Sequence, residues 1–179
     1  MAKITNILYV VEGEIEDKYL NQLKSENRVK SGRVKKFNIM QVSVKPTDDI
    51  MKRKVSIIYC IIDTDCIDAA NINTFVDNVK MLSTIGKVVV LVHNRNFEDE
   101  LVYMLQAGTI KRLCDIFNVS NKTTKDLKSF LATNQGYTKK IAKEHLVRYC
   151  ERPESFCEIV LNKIPKKIRI SKAKEEIVL

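Results

Sequence analysis

Three apolar runs, residues 6–11, 55–63 and 87–94, each stop at polar or acidic residues: Glu12 after the first, Asp63 and Asp65 at the second, Asn94 and then Glu98 after the third. Valine and isoleucine dominate these runs, which lack the alternation of a strand with one wet face. A strand buried on both faces needs a continuous run, the condition met in a parallel sheet covered by helices on both sides. The segments between carry apolar stripes at helical spacing, with Ile15, Tyr19, Leu20 and Leu23 within 14–27 and Ile72, Phe75, Val76, Val79 and Leu82 within 70–84. The order predicts an α/β core.

Between the first two runs, a basic linker containing Arg28, Lys30, Gly32, Arg33, Lys35 and Lys36 leads into "FNIMQVSV" (37–44), whose alternation predicts a more exposed strand ended by Pro46. After residue 96 the strand signal stops. Helical stripes follow at 97–106, 110–117, 124–132, 138–150 and 154–162, and a tail rich in Lys and Ile comes last. Residues 1–106 are thus expected to form the core, and 107–179 a basic helical cap and tail packed on it as one unit.

The chain has 179 residues, enough for one such unit. No apolar run approaches the ~18–20 residues that span a bilayer, and no signal-peptide pattern opens the sequence, so a cytoplasmic protein with no membrane partner is expected. Five cysteines, at 60, 66, 114, 150 and 157, form no C-x-x-C pair and leave one over in any disulfide scheme. Cys60, Cys114 and Cys157 lie among apolar neighbours and read as core. With two histidines far apart in sequence, zinc and histidine-nucleophile chemistry has little to work with.

The formal charge of +9 is uneven. Residues 1–100 carry 15 Lys and Arg against 14 acids, and residues 101–179 carry 16 against 8. The second half is therefore suited to an anionic partner, nucleic acid foremost.

In an open parallel sheet, ligands sit outside the C-terminal strand ends. Glu12, Glu16, Asp63, Asp65 and Glu98 would converge there, and crowded carboxylates are poorly tolerated unless protonated or neutralised by a cation. Oxygen-only ligands point to a hard divalent ion, Mg²⁺ or Mn²⁺. Beside a basic lobe, such a cluster suits a phosphodiester substrate. Glu14 and Asp17 read as first-turn charges favoured by the helix dipole, and the same reading stays open for Glu16 and Glu98. Asn94 is a candidate N-cap of the following helix or a nucleic-acid contact. His93 reads as structural or solvent-facing, and His145, on an apolar stripe, as a core histidine. Lys139 and Lys140, after the turn "TNQGY", are candidate phosphate contacts or a solvated face.

Glu12-Gly13 followed by Glu16, then Asp63-Thr64-Asp65 at a later strand end, resembles the E-G and D-x-D signature of TOPRIM domains. "VVEGEIEDKYL", "IIDTD" and "HNRNFEDELV", in this order, resemble the small RloB-like TOPRIM proteins, relatives of OLD-type nucleases associated with phage resistance. The resemblance covers roughly residues 6–106. The family's third block reads Ser-Asn-Pro-x-Phe-Glu, matched here by Asn94, Phe97 and Glu98, with His93 in place of Ser and Arg95 in place of Pro.

The resemblance implies a TOPRIM-like Rossmannoid, parallel-rich sheet flanked by helices, with a basic C-terminal helical extension. It also implies metal-dependent cleavage of DNA or RNA, tRNA included, in phage defence. The first glutamate, Glu12 here, is assigned to acid–base work or to the metal, and the Asp63/Asp65 pair to Mg²⁺. Glu16 corresponds to a further acid one helical turn on. Gly13, without a Cβ, would let the backbone turn sharply and a phosphate come close. The chain lacks the ATPase portion of the longer OLD-type proteins, so a separate ATPase or defence partner is expected. The alternative is a catalytically silent TOPRIM module that docks nucleic acid or protein within a larger defence complex.

Overall fold

The computed structural model describes residues 6–65, 67–134, 136–151, 160 and 163–179. In chain order these form β1 (Ile7–Val11), α1 (Glu14–Ser25), β2 (Arg33–Lys36), a 3-10 turn (Asp49–Met51), β3 (Ile57–Ile62), α2 (Ala69–Leu82), β4 (Lys87–Val92), α3 (Phe97–Met104), α4 (Ile110–Phe117) and α5 (Thr124–Thr133). A second 3-10 turn (Tyr137–Lys140), α6 (Lys143–Leu146), β5 (Arg169–Ser171) and α7 (Ala173–Glu176) complete them. The five strands make one sheet in the order β2-β1-β3-β4-β5, every pair parallel.

The continuous apolar runs are explained by the two faces of this sheet. Tyr9, Val11, Tyr59, Ile61, Val89 and Leu91 pack against α1, α3, α4 and α5, while Leu8, Val10, Ile58, Cys60, Val88 and Val90 pack against α2. Because side chains alternate along a strand, both parities must be apolar when both faces are covered. α2 is fixed by its stripe of Ile72, Phe75, Val76, Val79 and Leu82, and Asp68 caps its N-terminus by accepting the Asn71 N–H at 2.8 Å. Truncating a fully buried ring such as Phe75 to alanine would cost about 3–5 kcal/mol.

Two edge strands differ from the sequence reading. The second strand is the basic segment Arg33–Lys36, and 37–44 forms a turn and loop. Gly32 permits this pairing, since a Cβ there would lie 2.8 Å from Ile7 Cβ. Asn38 then turns the chain by accepting the N–H groups of Met40 and Gln41, each at 3.0 Å. The apolar residues of 37–44 are buried through the loop: buried Asn78 donates to the carbonyls of Ile39 and Val42 and accepts the Val44 N–H. Arg33 and Lys35 lie within 4 Å of Asp49, which leaves the edge charged and discourages pairing with another chain.

The strand signal does not end at residue 96: β5, drawn from the basic tail, pairs with β4 through Val89↔Arg169 to Leu91↔Ser171. The tail then crosses to the opposite side, where Val178 bridges Val29 and the Tyr59 hydroxyl donates to the Glu176 carbonyl at 3.2 Å. The helix expected over 138–150 is broken, because Ala142 is extended (φ −65°, ψ 160°) between the second 3-10 turn and α6. The helix expected over 154–162 lies outside the described residues except for Val160, which is buried. Cys60, Cys114 and Cys150 are buried free thiols, and Cys66 and Cys157 lie outside the described residues. No helix among the described residues is long and apolar enough to cross a membrane.

Candidate functional site

Strand register assembles the site. Val11 pairs with Ile61 and Ile62 with Val92, so the residues that follow the three central strands leave the sheet side by side. Glu12 accepts the Asp63 N–H on Oε1 at 3.1 Å. Asp63 Oδ1 lies 2.7 Å from His93 Nδ1. Glu16, in the first turn of α1, is buried against them, and Glu16, Asp63 and His93 each offer an atom within 4.8 Å of the others.

The electrostatics follow from this crowding. Burial, with the Asp63 carboxylate next, pushes Glu12 up to about 8, which leaves it largely protonated at neutral pH. Burial also raises Glu16, partly offset by His93. Glu98, in the first turn of α3, is buried and raised by desolvation, with Lys128 Nζ at 3.5 Å acting in the opposite direction. For His93, burial opposes the charged form, but the hydrogen-bonded Asp63 carboxylate offsets it and holds the ring above the ordinary histidine value.

His93 was expected to be structural or solvent-facing without a visible partner. It is buried and doubly engaged, Nδ1 with Asp63 and Nε2 with the Tyr149 hydroxyl at 2.9 Å. With both ring nitrogens occupied, it stands behind Asp63 and fixes that carboxylate's orientation. Glu100 is a second residue that sequence reasoning missed. Buried beneath the loop after β4, it accepts the Asn94 N–H at 2.7 Å and the Cys150 N–H at 2.6 Å.

The sharp turn expected at Gly13 is not formed. Its backbone is ordinary extended chain (φ −120°, ψ 173°), so no sharp turn demands a glycine. A Cβ there would instead lie 2.5 Å from Glu16 Oε2, and the missing side chain gives that carboxylate its place.

Asp65 is exposed, and its N–H donates to the Arg95 carbonyl at 3.1 Å, as does the Thr64 N–H at 2.5 Å. Arg95 takes φ 73°, a left-handed backbone closed to proline. The N-cap of α3 is Asn96, whose side chain accepts the Asp99 N–H at 3.0 Å, rather than Asn94. Lys139 and Lys140 are exposed on the second 3-10 turn; Lys139 borders a cavity of about 600 Å³ beside α1, and Lys140 Nζ donates to the Ile116 carbonyl at 3.0 Å. His145 is not a satisfied core histidine: it is half-buried, and its Nδ1 has no partner among the described residues.

Glu16, Asp63 and His93 are grouped closely enough to hold a metal ion, and the grouping singles out no one ion. Glu12, Glu16 and Asp63 supply clustered carboxylate oxygens, two of which burial drives toward protonation, and a bound cation would relieve both the desolvation and the mutual repulsion. No family model matches the chain, and no significant match was found among curated proteins or solved structures.

Proposed function

We propose that this chain is a Mg²⁺- or Mn²⁺-dependent nuclease of TOPRIM type that hydrolyses phosphodiester bonds of DNA or RNA in phage defence. The observation that carries the reading is the convergence of Glu12, Glu16 and Asp63 at the C-terminal edge of a parallel sheet, with Glu12 raised to about 8. Excess positive charge in the second half of the chain supplies attraction for a polyanion.

Bound at this edge, a hard divalent ion supplies Lewis-acid polarisation of the scissile phosphate. Asp63 would hold it from a carboxylate whose direction His93 and Tyr149 set, and Glu16 would hold it from the space left by Gly13. Glu12 carries a proton at neutral pH, which it would release when the cation binds or pass to the leaving oxygen. Asp65 and Glu98 would complete the oxygen set, and Lys139 and Lys140 would steady flanking phosphates.

The exposure of Asp65 favours a second reading, a silent TOPRIM module that docks nucleic acid beside a separate ATPase or other defence protein. Labelled single- and double-stranded DNA and total RNA, tRNA included, are incubated with Mg²⁺, Mn²⁺ or EDTA and either wild type or Asp63→Asn. EDTA-sensitive cutting lost in the variant supports the nuclease. Binding without cutting supports the docking module.

A further inference from the structure

The near-neutral first 100 residues hide a separation of charge. Residues 33–54 alone carry seven Lys and Arg against two acids, so more than half of the formal +9 resides in this short stretch. It includes β2, which closes one side of the sheet and pairs only with β1. Asp49 draws in three of the cations, Lys35 Nζ at 3.1 Å and Arg33 Nη1 and Lys52 Nζ each at 3.8 Å. One carboxylate cannot neutralise three cations, and Arg33 Nη2 is buried with no hydrogen-bond partner among the described residues. Lys52 is 64% exposed, and the exposed Arg53 and Lys54 follow it directly.

Register ties this basic edge to the acidic one. Lys36 pairs with Val11, which places it one strand spacing, about 4.8 Å, from the residue that precedes Glu12. Lys18, and after it Lys36, hold the nearby Glu14 carboxyl below its ordinary value. Arg33 and Lys35 pair with Leu8 and Val10 and share their face of the sheet, whereas Lys36 shares the face of Val11. The cations therefore wrap both faces of β2 and run up to the carboxylates.

We propose that the β2 edge grips the phosphodiester backbone of a nucleic acid, with Arg33, Lys35, Lys36 and Lys52 contacting phosphates beside the carboxylate edge. This deepens the nuclease reading and rests on it for what happens at the carboxylates. A phosphodiester chain fits both halves of the layout: flanking phosphates take the lysines, and a phosphate that reaches the acids is neutralised by the divalent ion held there. An acidic peptide or an anionic bilayer would meet the same lysines but would be repelled by the carboxylates beside them.

The test measures binding apart from cutting. Fluorescence anisotropy of labelled single- and double-stranded oligonucleotides of about 20 nucleotides is followed in EDTA with the full chain, over a range of salt. Lys35→Gln, Lys36→Gln and Lys52→Gln are combined in one variant. Its charge-matched control combines Lys111→Gln, Arg112→Gln and Lys125→Gln, exposed positions on α4 and α5. Circular dichroism verifies both folds. The edge variant should lose roughly tenfold or more in affinity near 0.1 M salt and lower the slope of log affinity against log salt by roughly two to three, the control by less than about one. Lys52→Glu alone should weaken binding more than Lys111→Glu alone. Wild-type binding by the edge variant, or an equal loss in the control, overturns the proposal. So does displacement of the oligonucleotide by polyglutamate or phosphatidylserine vesicles as effectively as by unlabelled nucleic acid at equal charge. Self-association of the edge variant with unchanged affinity also overturns it, leaving the lysines only the task of keeping copies apart. Mg²⁺-dependent cutting is scored separately: cutting with edge-independent binding removes this surface and leaves the nuclease, while edge-dependent binding with no cutting removes the nuclease and leaves the surface.

Discussion

Gly13 and Glu16 share one space: a Cβ on the first would stand 2.5 Å from Oε2 of the second. The glycine's backbone is one that any residue adopts, so substitution there acts on the carboxylate and leaves the chain path alone. Gly13→Ala should keep the melting temperature close to wild type and weaken Mn²⁺ binding roughly ten- to a hundredfold, as displacement of a supporting group does at other metal sites. Calorimetric titration with Mn²⁺ checks this, and unchanged affinity would remove Glu16 from the ligand set.

Asp63→Asn should abolish cutting while the fold survives. An asparagine keeps a polar partner for His93 and removes the charge that helps hold Glu12 protonated. In the absence of divalent ions we expect the variant to melt no lower than wild type, the usual signature of a site strained for function. Paired cleavage and thermal-melt measurements decide it, and full activity in the variant would exclude Asp63 from the chemistry.

Stability should fall as pH rises across the range set by Glu12. Folded, this group keeps its proton up to about 8, whereas unfolded it releases it near its ordinary value of 4.5. Between those limits the folded state binds more protons, so raising the pH favours unfolding. A divalent cation takes the place of that proton. The gain in melting temperature on adding Mg²⁺ should therefore grow from pH 5.5 to pH 8.5, as roughly set by the titration range. A gain that is flat with pH would contradict the assignment of Glu12.

Tyr149→Phe removes the hydroxyl that meets His93 Nε2 inside the core. Because the Cys150 sulfur also bonds this ring, losing the hydroxyl should cost the net worth of one hydrogen bond, about 0.5–1.5 kcal/mol, or a drop of roughly 2–4 °C in melting temperature per kcal/mol for a chain of this size. Cutting should fall as well, because Asp63 loses the support behind its orienting histidine. A variant with wild-type stability would show that the contact contributes nothing.

The central strands and the acids at their ends were legible because double-sided burial writes itself as unbroken apolar runs. β2 and β5 were not, since "RVKK" and "RIS" are short, charged edge segments whose pairing is set by their neighbours. The apolar content of 37–44 misled for the same reason, being buried by a loop that Asn78 holds. His93 was missed because Tyr149 lies 56 residues away. A signal did exist: Ile62 pairs with Val92, so the next residues, Asp63 and His93, had to emerge together. Glu100 gave no such hint, as its partners are the backbone N–H groups of Asn94 and Cys150.

The late arrival of β5 matters during synthesis. Every strand that bears the acidic cluster leaves the ribosome well before residues 169–171, so a nascent chain carries β4 with one row of amides and carbonyls unpaired until the tail docks. Over that interval the protein is a sheet with an open apolar border, the state most prone to stick to its neighbours. Loss of the last residues would make that passing exposure permanent, and a truncated chain would be expected to aggregate before any defect at its carboxylates could be observed.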